Sequence, residues 1–202
     1  MHSYTTSTGE HQRVPKVVFG ISILLAWGVH VALELAGFPI PWWVGFPSIG
    51  LFHTAIYFFV DSYGWRWSSV RALLQIKVPD LHGDWSGFVT PATGEKTERR
   101  SAEMKVHQRW SAIKITVSTG NSRSRSTMAA ISDETTLHPH LQYVYDNDPK
   151  EGAVDTMHRH PGTAHLTLEK KTDEEILEGG YYTGRDRGTT GELKFRRETG
   201  KS

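Results

Sequence analysis

Two patterns of hydrophobic positions divide this chain. From Val17 to Leu35 the run VVFGISILLAWGVHVALEL is apolar apart from Ser22, His30 and Glu34. About 20 helical residues cross roughly 30 Å of hydrocarbon, so the run predicts a membrane span over about 17–36. A second apolar run, Val44 to Val60, predicts another over about 44–62. Between them Gly37, Pro39, Pro41, Trp42 and Trp43 predict a short turn with interfacial tryptophans. After Pro79 the period falls to two. Leu81, Gly83, Trp85, Gly87 and Val89 alternate with more polar neighbours, as do Ile113, Ile115 and Val117. Leu141, Tyr143 and Tyr145 make another such row, as do Ala164, Leu166 and Leu168, then Leu177, Gly179, Tyr181 and Thr183, and finally Leu193 and Phe195. Period two is the mark of half-buried strands.

Turn signals at Pro91–Gly94, Gly120-Asn121, Asp146–Pro149 and Gly184–Gly191 separate these runs. Eight strands follow, over about 82–90, 97–108, 110–119, 123–132, 138–146, 162–171, 175–183 and 190–197. Short connections predict an up-and-down meander, and eight strands close into a minimal, lipocalin-like β-barrel with no exposed edge. An open sandwich is the alternative. The predicted organisation is an N-terminal tail (1–16), a two-helix transmembrane hairpin (17–64), an interfacial linker helix (65–78) and the all-β barrel (79–198). Arg13 and Lys16 precede the first span and Arg66 and Arg71 follow the second, whereas the connecting loop has neither residue type. The excess of positive charge at these ends predicts that both termini and the barrel are cytoplasmic.

Composition narrows the function. The 202 residues include no cysteine, which excludes a disulfide scaffold or a thiolate metal site. The net charge of +1 argues against a polymeric nucleic-acid partner. No nucleophile elbow, Walker loop or HExxH motif is present, and no catalytic residue or cofactor is assigned. His138 with His140, and His158 with His160, have ligand-like spacing but no third ligand at a telling distance. A metal site is not expected, and a metal-dependent hydrolase stays as an alternative.

The inward rows of several strands run from apolar to polar. Ile113, Ile115 and Val117 lead to Thr119; Ser124 and Ser126 precede Met128 and Ala130; Leu141, Tyr143 and Tyr145 lead to Asn147; Leu177 leads to Tyr181, Thr183 and Arg185. In a meander the polar ends share one mouth, at the end opposite the chain's entry at Leu81. Either these groups bond each other and water, or the mouth is a pocket for a polar ligand. Arg185 would pair with a phosphate, Tyr145, Tyr181 or Trp85 would stack a base, and Thr119, Ser124, Ser126, Asn147 and Thr183 would supply hydrogen bonds. Arg123, Arg125 and Arg187 at the rim would attract an anion. Among the polar groups of the spans, His30, Glu34 and His53 have two readings: Glu34 lies near the outer interface and the histidines face a neighbouring helix, or with Gly28 they line an oligomer interface or a pore.

The order of segments then resembles a known family. Two apolar spans precede PDLHGDWSG (79–87), WSAIKITVST (110–119), SRSRSTMAA (122–130), LQYVYDNDP (141–149) and LEGGYYTGRDRGTTGELKFRR (177–197). This is similar to the two-transmembrane, β-strand-rich effectors of cyclic-oligonucleotide-based antiphage signalling systems (CBASS). The resemblance implies a barrel that binds a cyclic dinucleotide made by a partner nucleotidyltransferase, and so a binding module, not an enzyme. It also implies a homo-oligomer in the bacterial inner membrane, disruption of that bilayer and arrest of the infected cell. A membrane-tethered, lipocalin-like carrier of a lipid or other apolar ligand is the competing expectation.

Overall fold

A computed structural model describes residues 1–38, 41, 45–92, 99–132, 138–153, 158–172, 174–185 and 188–198. The chain forms two compact units, one made of Met1–Thr8 with Val78–Ser202 and the other of Gly9–Lys77.

The larger unit is a closed barrel with nine strands among the described residues, where the sequence predicts eight. The predicted eight are all present in the predicted order: β2 (Gly83–Pro91), β3 (Arg100–Gln108), β4 (Ala112–Thr119), β5 (Ser122–Ser132), β6 (His140–Pro149), β7 (His160–Lys170), β8 (Glu175–Thr183) and β9 (Thr190–Arg197). Each pairs antiparallel with the next, and β9 closes on β2. The ninth is β1 (His2–Thr6), which wedges between β4 and β5. It pairs antiparallel with β4 at His2–Ile113 and parallel with β5 from Tyr4–Ala129 to Thr6–Ile131.

The wedge has a local cause. β4 and β5 leave the two-residue Gly120-Asn121 turn and pair directly only over Thr116–Ser118 and Arg123–Arg125. The β5–β6 register then shifts between Ser126 and Met128. A bulge of this kind bends the strand and sends each following side chain to the other face. Met128 is therefore exposed, and Ala129 and Ile131 take the inward row that the sequence assigns to Met128 and Ala130. The Ser126 hydroxyl accepts the Ile115 N–H at 2.9 Å and shares a 2.8 Å hydrogen bond with His2 Nε2. Side chains thus satisfy the backbone where the strands separate.

Inward rows at the chain-entry end make an apolar core of Leu81, Trp85, Met104, Trp110, Ile113, Ile115, Leu141, Leu166, Leu168, Leu177 and Phe195. Buried Gln108 fastens this end. Its Oε1 accepts the Leu81 N–H at 2.7 Å, and its Nε2 donates to the Pro79 carbonyl at 3.2 Å.

The smaller unit holds α1 (Glu10–Leu35), α2 (Gly45–Ser62) and α3 (Ser68–Leu74). Val14, Val18, Ser22 and Ala26, one every four residues, form the buried stripe of α1. Ser22 satisfies its hydroxyl on the Val18 carbonyl at 2.7 Å. Glu10 accepts the Lys77 N–H at 2.5 Å, which ties the start of α1 to the end of the unit. α1 is long and apolar enough to cross a bilayer, and only 17% of its most apolar stretch is buried, unlike a soluble core helix. Leu24, Trp27, Leu51 and Phe58 on the two longer helices are exposed. Pro39, Trp42 and Trp43 of the predicted turn lie outside the described residues.

Candidate ligand-binding cavity

At the end of the barrel opposite the chain's entry, the inward rows stop meeting and leave an open cavity of about 510 Å³. Small-molecule sites usually fall between about 300 and 1,000 Å³. Its apolar lining includes Val89, Val117 and Leu193. Its walls carry Thr119, Ser122 and Ser124 from the β4–β5 hairpin, Tyr143, Tyr145 and Asn147 from β6, His160 from β7, and Tyr181 and Thr183 from β8. Arg100 and Ser101 stand at the mouth, and no carboxylate is among the described lining residues.

Hydrogen bonds sort these groups by role. Thr119 accepts the Ser122 N–H at 3.1 Å and closes the β4–β5 turn. Thr183 accepts the Thr189 N–H at 2.9 Å and closes the β8–β9 turn. The Ser124 hydroxyl donates to Asn147 Oδ1 at 2.8 Å across β5 and β6. His160 is bonded through Nδ1 to the His158 carbonyl at 2.8 Å. A carbonyl only accepts, so Nδ1 donates this bond and Nε2 is the ring nitrogen left to face a ligand. Nε2 has no hydrogen-bond partner among the described residues.

Tyr143 is 97% buried, and its hydroxyl likewise has no partner among the described residues. Its ring lies 5.9 Å from that of Tyr145 at 49°. Burial, and secondarily the neighbouring Tyr145, pushes its pKa far above the ordinary tyrosine value, so it is a neutral hydroxyl at physiological pH. A hydroxyl without a protein partner on a cavity-lining residue is a place where water or a ligand can bond.

The structure brings six of the ten sequence-nominated ligand residues to this cavity: Thr119, Ser124, Tyr145, Asn147, Tyr181 and Thr183. Trp85 and Ser126 are elsewhere. The Trp85 indole N–H donates to the Leu81 carbonyl at 3.1 Å, and the Arg197 guanidinium lies 4.7 Å over its ring, so its face is occupied. Ser126 is committed to Ile115 and His2. Arg185 is exposed in the turn after β8, outside the cavity wall, and Arg187 lies outside the described residues. Arg123 points outward, and Arg125 pairs with Asp148 at 3.0 Å. Sequence reasoning passed over Tyr143, His160, Ser122 and Arg100 as ligand contacts. Tyr143 sits on the same period-two row as Tyr145, which was signal enough; His160 was masked by its pairing with His158.

Of the nominated helix residues, His30 and Glu34 form an i,i+4 pair at 3.2 Å. His53 stacks edge-on against Phe19 at 5.7 Å. A Cβ on Gly28 would meet nothing within 4 Å. Among the described residues no three His, Cys, Asp or Glu side chains are grouped to hold a metal.

Residues 76–197 match the family described as Cap15, cyclic dinucleotide receptor domain. The chain belongs to the Cap15 receptor family. CD-NTase-associated protein 15 of Yersinia aleksiciae is 30% identical over 152 residues, which is 74% of this chain and 69% of that protein. The Cap15 match takes in all of β2 to β9 and therefore the whole described cavity wall. β1 and α1 precede the matched Cap15 residues.

Proposed function

We propose that the chain is a CBASS antiphage effector whose barrel binds a cyclic dinucleotide in the cavity between Tyr145 and Tyr181. The observation that carries this reading is the cavity wall itself, in a chain that belongs to the Cap15 receptor family. Tyrosine faces suit bases, and Asn147, His160 and the free Tyr143 hydroxyl suit base edges or sugar hydroxyls. A wall with Arg100 and no carboxylate among its described residues suits phosphate. The same polar groups disfavour a carrier of apolar ligands, which would leave them unbonded.

In this reading the protein is a receptor and not an enzyme. The messenger comes from a partner nucleotidyltransferase. α1 and α2 both span the inner membrane, with the barrel and both termini cytoplasmic. Ligand favours the assembled homo-oligomer by binding it more tightly than the monomer, and the assembly disrupts the bilayer and stops the infected cell. Exposed Leu24, Trp27, Leu51 and Phe58 support a lipid environment for the helix pair.

Calorimetric titration of the detergent-solubilised full chain with a panel of cyclic dinucleotides tests the binding step. One member should bind stoichiometrically, and Asn147→Ala should weaken it about tenfold or more, the scale of one lost hydrogen bond to a polar ligand. A folded protein that binds no cyclic dinucleotide but copurifies with lipid would favour the carrier instead.

A further inference from the structure

Glycine is a poor strand residue, yet two glycines stand directly opposite the two cavity tyrosines that could stack a base. Tyr145 on β6 pairs with Gly162 on β7, and Tyr181 on β8 pairs with Gly191 on β9. Backbone conformation does not demand glycine at either site, since neither has a positive φ. Side-chain room does. A Cβ on Gly162 would come under 3.0 Å from Cζ, Oη and Cε2 of Tyr145, and these are its three nearest atoms. A Cβ on Gly191 would press first on the Thr90 carbonyl oxygen, then stand 2.6 Å from Tyr181 Cε1 and 2.9 Å from Pro91 Cα, so the β2 backbone and the Tyr181 ring both require the glycine there. Glycine within a strand marks such a close approach. Tyr143 is the contrast, because it pairs with Ala164, which carries a Cβ.

The two rings therefore lie across the neighbouring strand, each over a glycine, and both lean towards the next strand in chain order. β6 and β8 are two strands apart, roughly 9.5 Å around the wall at the usual strand spacing. We infer that Gly162 and Gly191 are positioning residues that lay Tyr145 and Tyr181 down as two separate stacking faces, one for each base of a two-base nucleotide. A mononucleotide would engage only one face. The inference rests on the proposed role of this cavity and adds how the wall counts bases.

Gly162 offers the cleaner test, because the three atoms nearest a methyl there all belong to the Tyr145 side chain, whereas at Gly191 two of the three are backbone. The experiment is a double-mutant cycle on the full chain, titrated with the tightest-binding cyclic dinucleotide and with the matching 3′,5′-cyclic mononucleotides. Base–aromatic stacking is worth about 5- to 150-fold in affinity. Gly162→Ala and Tyr145→Leu should each weaken the dinucleotide by that factor. The double variant should be within about twofold of Tyr145→Leu alone, because the alanine then displaces nothing. Each mononucleotide should bind the wild-type chain weaker than the dinucleotide by at least the same factor. Additive losses, or full affinity in Gly162→Ala, would overturn the inference. If Gly162→Ala fails to fold, Tyr145→Phe against Tyr145→Leu decides: the phenyl ring should keep most of the affinity, and equal losses would overturn it. Near-UV circular dichroism of the ligand-free chain separates this from the cavity's proposed role. Gly162→Ala should change the tyrosine bands even if no cyclic dinucleotide binds; unchanged bands would remove Gly162 from the positioning of Tyr145.

Discussion

Tyr4 should be the pin that holds the ninth strand in the barrel. It is 97% buried, and its hydroxyl donates to the Trp110 carbonyl at 2.7 Å. Tyr4→Phe keeps the ring and removes that donor, which should cost about 1 kcal/mol. Tyr4→Ala also removes a buried aromatic ring, for which large-to-small core changes cost about 3–5 kcal/mol. That loss has a ceiling, because β1 is short and can detach. Once it has left, its slot exposes unpaired backbone on β4 around Ile113 and on β5 from Ala129 to Ile131, and no further loss follows from the strand. Deletion of residues 1–8 should therefore melt at the same temperature as Tyr4→Ala or slightly below it. For a unit of this size each kcal/mol shifts the midpoint by roughly 3–6 °C. Tyr4→Phe should thus melt about 3–6 °C below wild type, and Tyr4→Ala and the deletion about 9–30 °C below. Thermal melts of the full chain in detergent, followed in the near-UV, measure this, with Tyr182→Ala as the exposed control. Tyr4→Ala and the deletion both melting within 1 °C of wild type would refute the placement of β1 in the barrel wall.

Two other outcomes follow from the same geometry. Tyr143 holds its proton in the folded barrel to a higher pH than in the unfolded chain, because burial raises its pKa. Stability should be fully present below pH 10.0, the ordinary tyrosine value, and fall above it by at most about 1.4 kcal/mol per pH unit from this group. Tyr143→Phe should remove that one-proton slope in denaturant titrations above pH 10.0, and an identical slope in the variant would contradict it. On α1, Gly28→Glu leaves the buried stripe of Val14, Val18, Ser22 and Ala26 untouched, since the new side chain enters open space. It should keep ligand affinity and membrane fractionation but abolish growth arrest on activation, and a variant that still arrests cells would remove Gly28 from the assembly face.

Much of the barrel was legible because a pleated strand turns alternate residues to one face. Eight strands and their apolar-to-polar gradient came from that single rule, and their order from the short connections between them. The rule failed where the backbone broke the pleat. At Thr127 one extra residue on β5 reversed the faces of Met128 and Ala130, and no glycine or proline announced it. At β8 the alternation was carried past Thr183 to Arg185, which sits in the turn where inward and outward no longer apply. β1 was missed because HSYTT holds one large apolar side chain and no long alternation. Its strand character comes from the slot and not from its own residues.

The sequence by itself determined which face of each regular strand is turned inward, and that α1 is apolar enough for a bilayer. Both are local properties, set by residue spacing and transfer free energy. Only the tertiary structure decided which inward residues share a height in the barrel. That separation put Trp85 under Arg197 at the chain-entry end and gathered Tyr143, Tyr145, Asn147, His160 and Tyr181 around one cavity. Height depends on register between strands far apart in sequence, and a one-residue bulge or a wedged ninth strand resets it.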